Sequence, residues 1–224
     1  MDAAVEALNQ ADVGIIDIQK YDRQVFERFS DRLKLLVRFG VGFENVDLDA
    51  ATKRGIAVAR TTGANTIGVA EMAVSLMLAL TRKLRTLNQN VEKGIWAKDV
   101  AHELYGSTVG IVGFGSIGQK LAAMLKGFDC KVVVYDPFPN EAVIRDTGVT
   151  LLTLEEVFQQ SDFISIHAAA TPENYHMVNA QRLGLMKPNG ILVNTSRGTL
   201  VDEAALADAL DQGKIGGAAL DVLE

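Results

Sequence analysis

The chain has 224 residues, 48% hydrophobic and 22% charged, an ordinary globular composition with room for one large or two small domains. Its net charge is -6 and its Lys and Arg are not clustered, which excludes phosphate neutralisation and hence a nucleic-acid partner as the leading reading. A single cysteine, Cys130, rules out an internal disulfide, and neither a signal-peptide pattern nor an apolar run of bilayer length is present, so a cytoplasmic protein without a membrane is expected.

In chain order, short β-branched runs alternate with helical stretches, the pattern of a parallel sheet covered by helices. Strands are predicted at 14–18, 35–38, 56–59, 108–112, 131–135, 163–167, 191–195 and 218–222. Helices are predicted at 3–10, 25–29, 49–54, 66–84, 117–126, 154–160 and 203–210. The helix from Thr66 is the most apolar, with apolar positions nearly all round, so it is expected to lie buried between layers. The polar stretch from Lys83 to Tyr105 reads as a connection. A division near Asn65 follows, with a smaller unit over 1–65 and a Rossmann-type doubly wound α/β unit over 66–224. Residue 1 falls at a helix start and residue 224 directly after a strand, so the chain reads as a fragment.

The central motif is Gly113-Phe114-Gly115-Ser116-Ile117-Gly118, between the apolar run 108–112 and a helical stretch. Gly113 permits the turn out of the strand, Gly115 lets a pyrophosphate approach the backbone, and Gly118 lets the helix pack closely. The free amides of Ser116 and Ile117 at the helix start then face the phosphates. Asp136 stands 23 residues after Gly113, at the end of a second strand. A carboxylate there accepts from the ribose hydroxyls and repels a 2′-phosphate. No Arg follows it, so NAD is favoured over NADP.

Four stretches in order carry a resemblance to the D-isomer-specific 2-hydroxyacid dehydrogenases. They are Arg38-Phe39-Gly40-Val41-Gly42-Phe43-Glu44-Asn45-Val46-Asp47; Gly63-Ala64-Asn65-Thr66 with Val69-Ala70-Glu71; the Gly113 motif ending at Asp136; and a last set. That set joins Ser165-Ile166-His167, Thr171-Pro172-Glu173-Asn174, Asn194-Thr195-Ser196-Arg197-Gly198 and Ala219-Leu220-Asp221-Val222. The resemblance runs from about Asp12 to the last residue. It implies an incomplete flavodoxin-like substrate domain before the NAD domain, and oxidation or reduction of a small D-2-hydroxy or 2-keto acid.

The resemblance also implies roles. Arg197 is similar to the family's catalytic arginine, whose planar fork can hold a carboxylate and polarise the adjoining carbonyl. The loop at Val41 and Gly42 resembles the family's substrate loop, where backbone N–H groups bind the carboxylate. Thr61, Ala168, Thr195, Ser196 and Asp221 match cofactor-lining positions. A carboxylate ending an apolar strand, as at Asp221, is otherwise costly to bury.

His167 follows the strand beside the cofactor without acid–base duty, and His102 and His176 read as structural or surface residues. The three His and one Cys have no ligand spacing for a metal. The family's catalytic glutamate and histidine match positions beyond Glu224, so this chain alone is expected to bind NAD and turn over poorly. The run Ile16-Asp17-Ile18-Gln19-Lys20 lacks the Arg that phosphoglycerate-type members use, which favours an unphosphorylated acid, with Lys20 keeping the question open. Thr62 replaces the proline common in the family. The alternatives are a non-catalytic NAD-binding module or a co-repressor-like NAD sensor of the same fold. A homodimer is implied, formed through the helix from Thr66 and the segment around Trp96, unless Trp96 folds back on its own domain.

Overall fold

The computed structural model describes all 224 residues, which form two compact units, Met1–Asn65 and Thr66–Glu224. In the first, α1 (Asp2–Leu8), β1 (Val13–Ile16), α2 (Arg23–Glu27), β2 (Leu35–Arg38), α3 (Leu48–Lys53) and β3 (Ala57–Arg60) follow one another. The strands make a parallel sheet in the order β1-β2-β3, with Arg38 paired to Arg60 at its carboxyl edge. The side chains of Asp22 and Asp47 accept from the backbone of Val25 and Ala50, fixing where α2 and α3 begin. Ile16, Phe26, Phe29, Leu33 and Leu36 fill the core. Each contributes about 1.5–3 kcal/mol by leaving water.

The second unit contains α4 (Thr66–Thr81), α5 (Leu84–Glu92), β4 (Thr108–Val112), α6 (Ser116–Leu125), β5 (Lys131–Tyr135), α7 (Glu141–Thr147) and β6 (Thr150–Leu151). Then come α8 (Leu154–Gln160), β7 (Phe163–Ile166), α9 (Ala180–Leu183), β8 (Ile191–Asn194), α10 (Glu203–Asp211) and β9 (Gly217–Leu220). Its six-stranded sheet is parallel throughout, in the order β6-β5-β4-β7-β8-β9. β7 and β8 are buried along their whole length because helices cover both faces. Val109, Ile111, Val134 and Val193 pack with α4 and α6, while Val112, Val133, Ile164 and Leu192 pack on the other face with α8 and α10. Period-two alternation along each strand thus serves two cores. The order reverses between β4 and β7, and in such sheets ligands bind at the carboxyl ends beside that reversal.

The α/β doubly wound fold agrees with the sequence reading, but several expectations do not hold. The helix expected over 66–84 stops at Thr81, because Lys83 takes a left-handed conformation (φ 51°) and starts α5. The expected connection therefore contains a helix. α4 is not buried all round: Ala70, Ala73, Met77 and Thr81 form one buried face, while Ile67 and Met72 are exposed. The periodicity was hidden because both faces are apolar. The short α7, α9 and β6 were missed, although Asn140 and Asn179 cap the two helices. His167, Thr195 and Asp221 lie just past their strands rather than inside or at the end of them.

Candidate active site: the carboxyl edge of the six-stranded sheet

The turn after β4 is built by two contacts that only glycine tolerates. Gly113 has φ +94°, and a Cβ there would sit 2.7 Å from the Ala168 nitrogen. A Cβ on Gly118 would overlap the Gly113 carbonyl oxygen, so α6 starts tight against the turn. Gly115 differs, since no atom lies within 4 Å of where its Cβ would be. The open face is therefore at Gly115, beside the start of α6. Gly115 caps that helix without a side-chain bond, leaving the amides of Ser116, Ile117 and Gly118 without an intrahelical acceptor. Ser116 is exposed and Ile117 half-buried.

Asp136, half-buried after β5, accepts at Oδ2 from the Phe114 amide (2.7 Å) and at Oδ1 from the Phe138 amide (2.8 Å). The carboxylate expected to receive a ribose thus also ties the glycine turn to the end of β5. Spacing alone did not reveal that second task.

Beyond β7, the His167 amide donates to the Val112 carbonyl at 2.7 Å, and half-buried Ala168 follows, closing on Gly113. The His167 ring has Nε2 2.8 Å from Ser165 Oγ, while Nδ1 is buried without a partner. Burial disfavours the imidazolium and holds the His167 pKa down to about 4.

Beyond β8, Thr195 is buried, and its Oγ1 has no partner in the protein. Ser196 Oγ donates to the Ile166 carbonyl (3.1 Å), and the Ser196 amide donates to Asn194 Oδ1 (3.0 Å). Asn194, fully buried, donates from Nδ2 to the Arg197 carbonyl at 2.8 Å. Asn194 is a residue the sequence reading quoted without a role; its side chain sets the shape of the loop that carries Arg197. Arg197 is half-buried and donates from Nη1 to the Ser196 carbonyl (2.7 Å). Asp221 corrects an expectation: it is exposed beyond the edge strand β9, so no burial cost argues for a function there. Its amide bonds the Asn194 carbonyl at 2.9 Å.

Gly113, Gly115, Ser116, Ile117, Gly118, Asp136, Ala168, Thr195, Ser196, Arg197 and Asp221 therefore all fall at the carboxyl edge of one sheet. The remaining expected residues lie in the first unit. There Gly40 (φ +146°) turns the chain after β2, its amide donating to Thr61 Oγ1 (2.9 Å) while the Thr61 amide donates to the Gly40 carbonyl (3.1 Å). Val41 and Gly42 follow, half-buried, and Arg60 Nη1 donates to the Val41 carbonyl at 3.2 Å. No group of three metal-ligating side chains occurs, and no helix is long and apolar enough to cross a membrane.

A reversal point edged by a glycine turn, a free helix start and a carboxylate after the second strand defines a dinucleotide-binding α/β protein. The open face at Gly115 and the orphaned Thr195 hydroxyl fit a bound nicotinamide dinucleotide. Comparison with known proteins gives the family. The profile described as D-isomer specific 2-hydroxyacid dehydrogenase, NAD binding domain, matches residues 74–224, and the chain belongs to that family.

Among relatives, a glyoxylate reductase from Thermococcus litoralis is 41% identical over 214 residues, covering 92% of this chain and 64% of the relative. A D-3-phosphoglycerate dehydrogenase from Methanocaldococcus jannaschii is 39% identical over 224 residues, covering 98% of this chain and 43% of the relative. The chain thus spans less than two thirds of either protein. A solved D-lactate dehydrogenase from Aquifex aeolicus, complexed with NAD and lactic acid, superposes with a TM-score of 0.87 at 34% identity, covering 98% of this chain and 66% of that one.

Proposed function

We propose that this chain carries the cofactor-binding and substrate-orienting parts of an NAD-dependent dehydrogenase that interconverts a small 2-keto acid and its D-2-hydroxy acid. The observation that carries the reading is the meeting of the glycine turn, Asp136 and the Arg197 loop at one sheet edge. A nicotinamide dinucleotide held there would, in its reduced form, supply a hydride to C2 of a keto acid. The α6 amides of Ser116, Ile117 and Gly118 receive the pyrophosphate. Asp136 accepts from the ribose diol, which favours NAD over its 2′-phosphorylated counterpart. The Thr195 hydroxyl, lacking a partner in the protein, has its bonding capacity available for the cofactor. Ala168, Ser196 and Asp221 line the same edge. Arg197 presents a permanent positive charge to draw electron density from the keto oxygen as the hydride arrives. In the first unit, the amides at Val41 and Gly42 hold the substrate carboxylate, and Thr61 fixes the Gly40 turn that presents them. Glyoxylate, hydroxypyruvate and pyruvate are the expected substrates.

Reduction also needs a proton on the former keto oxygen. On the resemblance drawn above, a glutamate and a histidine would supply it, and neither is assigned among these 224 residues. The chain alone is therefore expected to bind NADH at micromolar Kd and to oxidise it negligibly with any of the three acids. Titration calorimetry and absorbance at the NADH band test this. Sustained turnover would overturn the assignment of the proton donor, and absence of NADH binding would overturn the whole reading.

We further infer a homodimer. α5 has no buried residue, and Val91 (61% exposed), Trp96 (85%) and Val100 (84%) present apolar side chains to solvent on it and just beyond it. Trp96 does not fold back into its own unit's core. Gel filtration should give a dimer that Trp96→Ala weakens; a monomeric parent chain overturns the inference.

A further inference from the structure

Glu224, past the end of β9, is held by two neighbouring rings. Its Oε1 accepts from the Tyr175 hydroxyl at 2.9 Å, and its Oε2 stands 2.9 Å from His176 Nε2. Residues adjacent in an extended chain point to opposite sides. Here the left-handed backbone of His176 (φ +50°) turns both rings to one side, and they stack with centroids 3.9 Å apart. A histidine in that region is uncommon, and its strain persists only where the surroundings hold it. The bonds from His176 and then Tyr175 keep the Glu224 carboxyl below the usual carboxylate range, so it stays an acceptor. The same segment is tied on at the backbone. The Glu224 amide donates to Glu203 Oε1 (2.8 Å) in the first turn of α10, and the His176 amide donates to the Thr199 carbonyl (2.9 Å).

These contacts converge on the loop that carries Arg197. A Cβ on Gly198 would overlap the Leu223 carbonyl group and the Glu224 nitrogen, so that backbone passes directly against the residue after Arg197. Only glycine leaves room for such an approach. The loop is thus fixed twice: Asn194 Nδ2 donates to the Arg197 carbonyl, and Leu223–Glu224 backs Gly198.

We propose that Glu224 is a positioning residue for Arg197: gripped by Tyr175 and His176, it seats the Leu223–Glu224 backbone against Gly198 and so fixes the direction of the guanidinium. This rests on the reading of Arg197 as the group that faces the keto oxygen. A guanidinium that polarises a carbonyl acts through its direction as well as its charge, and a displacement of about 1 Å is enough to weaken it. Glu224 touches neither cofactor nor substrate in this role and acts only through the loop.

The test uses the 224-residue chain and reads the loop directly. The probes are the Arg197 Nε–H resonance and hydrogen exchange of the Leu200 and Val201 amides, which bond the Arg197 and Gly198 carbonyls. In Glu224→Ala the resonance should shift and both amides should exchange about threefold to tenfold faster, the scale of one partly exposed hydrogen bond to a charge. Glu224→Gln keeps an acceptor for Tyr175 and should restore most of the parent behaviour. Gly198→Ala displaces the segment by overlap, with the rings intact, and should reproduce Glu224→Ala. In the NADH complex, Glu224→Ala should raise the Kd for pyruvate about threefold to tenfold and leave that for NADH unchanged. Glu141→Ala, which removes an exposed carboxylate of α7 paired with Arg145, should change none of these.

An unmoved Arg197 resonance and unaltered exchange in Glu224→Ala would overturn the proposal. So would equal weakening of NADH and pyruvate, which would make the cluster a support for the whole unit. Should Glu224→Ala unfold, Tyr175→Phe removes one hydrogen bond of the cluster and is read on the same signals. A parent chain that binds no NADH or no pyruvate sinks the function on which the proposal rests, while the Arg197 resonance of the free chain still decides whether Glu224 positions the loop.

Discussion

Replacing Asp136 separates two tasks that one carboxylate performs. Its oxygens accept from the Phe114 and Phe138 amides at 2.7 and 2.8 Å. Hydrogen bonds to a charged group contribute about 1.5–3 kcal/mol each when buried. Asp136 is half-buried, so the lower end applies, and the amides it leaves are partly rehydrated. Asp136→Ala should thus cost the second unit about 2 kcal/mol, or roughly 4–8 °C in Tm for a unit of this size. The same change removes the acceptor for the ribose hydroxyls, which should raise the Kd for NADH by about tenfold to a hundredfold.

Asp136→Asn divides these effects. Its amide oxygen can still accept from one backbone N–H, so the Tm should fall less. The negative charge is gone, however, and with it the repulsion of a 2′-phosphate, worth about 1 kcal/mol even at the dielectric of water and about 4 kcal/mol near a protein surface. The ratio of NADPH to NADH Kd should therefore fall by about fivefold or more in Asp136→Asn. Fluorescence titration with both cofactors and a thermal melt measure everything needed. A cofactor ratio that does not change would refute the ribose role, and an unchanged Tm in Asp136→Ala would refute the clamp.

At Gly118, a Cβ would press on the backbone oxygen of Gly113 and stand 3.1 Å from Ile111 Cγ2. The overlap is with rigid backbone, so Gly118→Ala should lose about 1–3 kcal/mol, outweighing the gain of about 1 kcal/mol in helix propensity. Gly127→Ala, with nothing within 4 Å, is the control and should be harmless; equal melts for the two variants would contradict the packing argument.

Thr195→Val removes an orphaned buried hydroxyl. Unfolding stability should hold or rise by about 1 kcal/mol, while NADH binding weakens several-fold. Unaltered NADH affinity would remove Thr195 from the site.

His167 predicts the acid limb. The unfolded imidazole regains its ordinary value of 6.5 and takes a proton that the folded state refuses until about pH 4. Stability is thus fully present above pH 6.5 and falls as the pH drops to about 4, by about 1.4 kcal/mol per unit and roughly 3 kcal/mol in all. Denaturant melts across that window should show a shallower slope for His167→Gln; parallel slopes would place the loss elsewhere.

Local chemistry made much of this protein legible. The strands at Thr108–Val112 and Lys131–Tyr135 stand where their β-branched runs predict them, because strands with helices on both faces are apolar on both. The glycine turn and Asp136 were readable for a related reason. Steric exclusion at Gly113 and Gly118 and the fixed length of a strand–helix–strand unit impose residue types at set spacings. Other elements were not readable. α5 ends no apolar pattern of α4; only the left-handed Lys83 separates them, and nothing in the composition of that stretch announces the break. The one-sided burial of α4 was masked, since hydrophobicity states what could be buried and not what is.

The sequence by itself determined the fold class and the dinucleotide motif, since periodicity, turn chemistry and close backbone approach are local constraints. Only the tertiary structure decided which polar groups are satisfied and which are left over. That Asp136 grips the Phe114 amide and that Arg60 bonds the Val41 carbonyl depend on partners 22 and 19 residues away in the chain, and that Asn194 is buried while Asp221 stands in solvent depends on how the elements around them pack. Hydrogen bonds and ion pairs act over a few ångströms of space, and sequence spacing does not measure that distance.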